Sequence, residues 1–250
     1  MILQEMKDAA RKLCGDKTVT KLTCGVFFTA VTLSDGSGGI SFAFPYGDSC
    51  QVDSASYRGS TVGRSAAELV ELLGSRNLVD AAIAVATVNA LTAAPRRSLP
   101  DTASSSELHI IRPTDTVGIV GNFGPLCAKI GSLCKEVRVF DIKPVGNMYP
   151  VWSESIYLPG CDVVYITAST LINNTLDGVL SFCTDAREIV LLGPTVVEMP
   201  ELFRAHGVTL LAGAELIDTE KAHCMILEGA SGHDIVSKAE GITRAYTHRL

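Results

Sequence analysis

Short apolar runs, each closed by a glycine, amide, acid or hydroxyl residue, recur over residues 116–213. They cover residues 117–120 before Gly121-Asn122, 137–140 before Asp141, 163–166 before Thr167, 189–192 before Gly193-Pro194-Thr195, and 208–211 before Gly213. Stretches of helical periodicity separate them. A strand that is apolar on both faces needs a cover on each face, and helical connections supply both covers. The pattern therefore predicts an α/β fold with a doubly wound parallel sheet. Sheets of this kind bind ligands beyond the carboxyl ends of their strands, where the closing residues gather.

Upstream the rhythm changes. Residues 2–14 have helical spacing, with Ile2, Met6, Ala9, Ala10 and Leu13 on one face. Residues 19–33 are rich in valine, threonine and phenylalanine, and Asp35-Gly36-Ser37-Gly38-Gly39 leads to a second extended run at 40–44. This is a hairpin signal, with glycines supplying positive φ. A third extended piece is expected over 50–57, and helices over 65–73 and 78–94, split by Gly74-Ser75. The N-terminal third thus reads as a small α+β unit. Proline, serine and charge break the periodicity over 95–116, so the expected division is 1–98, a linker at 99–115, and a second unit at 116–250. Near the end, 215–222 is expected to be helical and 223–227 a strand.

Composition narrows the partners. A hydrophobic content of 47% over 250 residues is ample for a core, and a net charge of -6 with no basic run argues against nucleic acid and against anionic membranes. Mean hydropathy is positive, at +0.28. Yet the most apolar helical stretch, 78–94, contains Asp80, Thr87, Asn89 and Thr92 and falls short of the roughly 20 residues that span a bilayer. The N-terminus lacks the basic-then-apolar layout of a secretion signal, so a cytoplasmic location is expected. The eight cysteines include no CxxC, and the five histidines no HxxxH or HExxH. Reduced cysteines and no zinc-enzyme motif are the expectation. Walker loops and Gly-x-Ser-x-Gly elbows are absent as well.

The candidate site residues lie in the closing segments. Gly121-Asn122-Phe123-Gly124 sits between a strand and a helix, where backbone N–H groups meet anions. Asp141 stands where nucleotide-binding folds often place an acid for ribose hydroxyls; the plainer alternative is a tight turn and an acid that merely ends a strand. Thr167-Ala168-Ser169-Thr170 with Asn173, Asn174 and Thr175 offers neutral hydrogen-bonding groups, some of which helix capping alone would explain. Their neutrality suits a polar ligand or a metal chelate and not a bare metal ion. Gly193-Pro194-Thr195 repeats the arrangement, as does Gly213 with Glu215, whose carboxylate would serve a ligand or the first turn of a helix. Asn89, on the long helix, would brace the crevice or join its wall. Cys127 and Cys134, seven apart on one expected helix, are too far apart to share a metal. Cys24 is read as a buried strand cysteine.

Several of these segments, taken in order, resemble the bacterial and archaeal family named for putative heavy-metal chelation. The matching residues are Cys24-Gly25, the helix from Asp80 to Asn89-Ala90, Gly121-Asn122-Phe123, Cys161-Asp162 through Thr167-Ala168-Ser169, Asn174-Thr175-Leu176, and Gly193-Pro194-Thr195. The resemblance implies an enolase N-terminal-like domain followed by a Rossmann-like domain, and a heavy-metal ion or metal chelate as ligand. Two turns depart from the family pattern. Asn122 stands where the family has a histidine, and Val196-Val197-Glu198-Met199-Pro200 replaces a proline-leucine segment. The expected function is small-ligand binding in the crevice between the two domains. The alternative is an enzyme using S-adenosylmethionine or NAD, with the Gly121 turn on the charged portion and Asp141 on the ribose. Assembly into a homo-oligomer through the N-terminal unit is a further expectation.

Overall fold

The computed structural model describes residues 1–44, 55–97, 108–236 and 242–250, and their strands form two sheets. Helix α1 (Ile2–Cys14) buries Ile2, Leu3, Met6, Ala10 and Cys14 at three- and four-residue spacing and stops at Gly15, whose φ is +51°. Strands β1 (Val19–Cys24), β2 (Phe28–Leu33) and β3 (Gly38–Phe42) follow as an antiparallel meander. Helix α2 (Ala66–Val70) opens with a reciprocal Ser65–Glu68 capping box. Helix α3 (Leu78–Arg97) is buried all round from Asp80 through Ala93, as an alanine-rich helix without a polar stripe must be.

The large sheet is built from β4 (Thr116–Val120), β5 (Glu136–Asp141), β6 (Tyr149–Pro150), β7 (Val163–Thr167), β8 (Glu188–Leu192), β9 (Leu210–Leu216) and β10 (Thr243–Arg249). Its order is β10-β9-β8-β7-β4-β5-β6, parallel throughout except for β10. The connecting helices are α4 (Gly124–Gly131), α5 (Glu154–Tyr157), α6 (Leu176–Phe182), α7 (Pro200–Ala205), α8 (Thr219–Leu227) and α9 (Gly232–Val236). From β4 the chain steps outward to β5 and β6, then returns to the other side of β4 with β7. The reversal opens a gap beyond the ends of β4 and β7.

Two glycines show why the small sheet is thin. Gly36 makes the β2–β3 turn with φ +79°, but Gly38 and Gly39 lie inside β3 and serve close approach instead of the turn. A Cβ on Gly39 would fall 2.2 Å from the Ala86 carbonyl oxygen of α3, and one on Gly38 would fall 2.4 Å from Thr219 Cγ2 of α8. Helix α3 therefore covers one face of the small sheet and α8, from the far end of the chain, covers the other. A hydrophobic cluster also runs without a break from α1 and α3 into β7, α6 and α7. The segments before and after residue 100 share a core.

Several local expectations are corrected. Residues 219–227 are helical through Leu227, because Asp218 caps the helix by accepting from Lys221 N at 2.9 Å and because Ala222 and Ile226 bury together, one turn apart. Strand β10 was not anticipated from the sequence. Cys134 lies beyond the end of α4, so it does not share a helix with Cys127. Cys24 is exposed: alternation along edge strand β1 turns it away from the face where Thr23 meets α8. The extended piece expected over 50–57 lies mostly outside the described residues, and 56–59 form a turn. Among the described residues no helix is long and apolar enough to cross a membrane.

Candidate functional site

Where β4, β7 and β8 end, four predicted residues converge. Gly121 has φ +102°, and a Cβ there would stand 3.0 Å from Thr167 Cβ and 3.4 Å from the Phe123 ring. Gly193 has φ +108°, and its Cβ position lies 3.9 Å from the opposite side of the same ring. The Phe123 ring thus spans from the end of β4 to the end of β8, across Thr167. A left-handed backbone and the pressure of Thr167 both require glycine at position 121.

The turn is held by its own side chains. Asp141 Oδ2 accepts from Asn122 N at 2.9 Å and Asp141 Oδ1 from Lys143 N at 2.8 Å, while Asn122 Oδ1 accepts from Gly124 N at 3.1 Å. Gly121 N donates to Phe140 O and Gly193 N to Ala212 O. The amides that a bound anion would use are therefore largely committed inside the protein. Asp141 fixes the Gly121 turn.

The β7 terminus is different. Thr167 Oγ1 accepts from Ser169 N at 3.3 Å and donates to Ser169 Oγ at 3.2 Å, capping the short 3-10 turn Ala168–Leu171. Both hydroxyl residues stay half-exposed, whereas Ala168 and Thr170 are buried. Asn174 and Thr175 are exposed beyond this turn. Asn174 adopts φ +59°, a left-handed conformation that asparagine tolerates, and the Thr175 hydroxyl donates to Asn173 Oδ1 at 2.7 Å.

Other candidates brace the fold. Thr195 is buried and its Oγ1 accepts from Phe42 N of β3 at 2.9 Å. Asn89 Nδ2 donates to Ile40 O at 2.8 Å and to Thr195 O at 3.4 Å, tying α3 to β3 and to the loop after β8. Gly193 and Pro194 remain half-exposed above this brace. Gly213 and Glu215 need correction: both lie within β9, not beyond a strand end. The Tyr246 ring occupies the space a Gly213 side chain would fill, with Tyr246 OH 2.4 Å from that Cβ position. Glu215 is buried against Arg244 at 2.7 Å, so it neither faces the gap nor opens a helix.

Sequence reasoning missed two acids. Glu154 is 8% exposed at the start of α5, just past β6, whose Pro150 is in register with Asp141. Burial pushes its carboxyl up to about 7, near half-ionised at neutral pH. The signal was present as the single charged residue between Lys143 and Asp162. Glu198 is buried in the loop after Gly193, and its Oε1 lies 2.5 Å from His248 Nδ1 on β10. No sequence spacing joins residues fifty apart.

The chain carries the mixed α/β architecture defined above, with a glycine-built gap at the strand reversal. Two family models, both described as putative heavy-metal chelation, match it over residues 6–92 and 105–243. The chain belongs to this family, whose C-terminal model is designated DUF364. An uncharacterised protein of Methanocaldococcus jannaschii is 27% identical over 255 residues, covering 92% of this chain and 96% of that one. Two crystal structures of DUF364 proteins of unknown function share the fold. The Desulfitobacterium hafniense protein is 23% identical with a TM-score of 0.83, covering 99% of this chain and 98% of its own. The Pyrococcus horikoshii protein is 24% identical with a TM-score of 0.84, and both chains are covered completely.

The donor set of the described residues does not fit a bare heavy-metal ion. Among the described residues no group of three or more histidine, cysteine, aspartate or glutamate side chains is placed to hold one. Cys14, Cys161 and Cys183 are buried, and burial pushes the Cys183 thiol up to about 12 and raises the other two, so none readily becomes the thiolate a soft metal needs.

Proposed function

We propose that the protein binds a small polar ligand, a metal chelate and not a naked ion, in the gap beyond β4, β7 and β8. The observation that carries this reading is the convergence of Gly121, Phe123, Thr167 and Gly193, with the Thr167 and Ser169 hydroxyls half-exposed beside them. A chelated metal already has its coordination shell filled. Its protein site then needs hydrogen bonds and an apolar surface, which these hydroxyls and the Phe123 ring supply. The family description supports the metal, and the neutral donors support the chelate.

The test is native mass spectrometry with elemental analysis on protein purified without chelators or a histidine tag, repeated for a Thr167→Val, Ser169→Ala variant. The expected result is a metal together with an organic mass, both lost from the variant. Two lost hydrogen bonds at about 1 kcal/mol each correspond to roughly 30-fold weaker binding. A stoichiometric metal with no organic mass would refute the chelate. A bound mass matching S-adenosylmethionine or NAD would replace it with the nucleotide reading.

A further inference from the structure

We propose that the β6 edge of the large sheet, with the helical turn that follows it, is a contact surface for a second copy of this chain. Twelve large apolar side chains are exposed among the described residues, and five of them fall within residues 142–157. These are Ile142 at 52%, Val145 at 61%, Trp152 at 77%, Ile156 at 66% and Tyr157 at 38%. Register gathers them at one end of the sheet. Asp141 pairs with Pro150, so the loop beginning at Ile142 and the turn carrying Trp152 leave neighbouring strands side by side. Trp152 and Ile156 are four residues apart in consecutive helical turns and point the same way.

Charge is sparse on this surface: over residues 142–157 Lys143 is the one exposed charged residue. Between Lys143 and Asp162 the single charged residue is Glu154, and it is buried. Depletion of charge with enrichment in tryptophan, tyrosine and aliphatic residues is the composition of an interface core. The five residues expose roughly 550 Å², at the upper end of the largest apolar patch a soluble monomer commonly carries and about two-thirds of the ~800 Å² that each partner contributes to a standard interface. A partner selected by charge would find only Lys143 to pair with here. A second copy presents the same largely apolar surface and matches it about a two-fold axis, and β6, at the outer edge of the sheet, leaves room for that approach.

The experiment is sedimentation velocity on the full chain from about 1 to 100 μM, spanning the affinities such an area commonly gives, for wild type, Ile156→Glu and, as a control on α8, Leu227→Glu. Leu227 is equally exposed, at 70%, outside the patch. The expected result is twice the 26.5 kDa chain mass for wild type and the Leu227 variant, and a single-chain mass for the Ile156 variant with an unchanged circular dichroism spectrum. Trp152 is the sole tryptophan, so its emission reads the same surface without any mutation. Emission that shifts to the red as wild type is diluted and dissociates supports the proposal even if the Ile156 variant does not fold. Monomeric wild type with fully solvated emission at every concentration overturns it, as does a dimer that Ile156→Glu leaves intact.

Discussion

Acidification should expose the clasp between α8 and the small sheet. His223 is fully buried, with Nδ1 2.7 Å from Thr23 Oγ1 and Nε2 2.9 Å from Thr32 Oγ1. Both hydroxyls suit a neutral ring, and desolvation, helped by the Lys21 charge, lowers its pKa from 6.5 to about 4. Above pH 6.5 neither the folded nor the unfolded chain holds a proton on this ring. Below it the unfolded chain takes one first, so the stability contributed by the neutral ring is lost as pH falls from 6.5 towards 4. At about 1.4 kcal/mol per unit, moving from pH 7 to pH 5 costs about 2 kcal/mol. Glu154 acts in the opposite sense: its folded carboxyl titrates near 7 against 4.5 unfolded, so stability rises as pH falls through that range. The wild-type profile alone therefore blurs the two, and comparison with His223→Gln separates them. Urea unfolding at pH 7 and pH 5 should show the wild-type advantage over the variant shrinking by about 2 kcal/mol. An advantage that stays constant between the two pH values would refute the neutral, desolvated ring.

Glu154→Gln should gain stability relative to wild type as pH rises from 5 to 8, by up to about 3 kcal/mol, because the amide cannot ionise in the apolar pocket; thermal melts across that range would read it. Gly39→Ala should cost 3 kcal/mol or more in urea, roughly the upper end for overpacking, since its Cβ would meet the backbone of α3 and not a movable side chain. Thr195→Val should cost about 1–3 kcal/mol by leaving Phe42 N without its acceptor, measured in the same assay. Asp115→Asn should cost about 1–3 kcal/mol: the carboxylate is buried and Arg187 meets both of its oxygens at 2.9 and 2.6 Å, while the guanidinium left behind is partly solvated.

The large sheet was legible because its signal is local. Strands buried on both faces must be apolar without interruption, and each must end where a turn residue allows, so β4, β7 and β8 and the turn residues after them stand out along the chain. Gly121, Phe123, Thr167 and Gly193 accordingly fall at strand ends by pattern alone. What sequence could not reveal is which polar groups find each other across the fold. Asp141 binding the Gly121 turn, Asn89 reaching Thr195, and Glu198 meeting His248 depend on strand order and helix packing, which no spacing encodes. The error at Gly213 has the same origin: a glycine that ends a strand and one that admits a neighbour's ring look alike until Tyr246 is seen above it. Helix α8 was misread because its apolar face matches a sheet formed some two hundred residues earlier. Periodicity and turn chemistry act between near neighbours and determine the elements; burial and hydrogen bonding act between distant ones, and only the folded chain decides which elements meet.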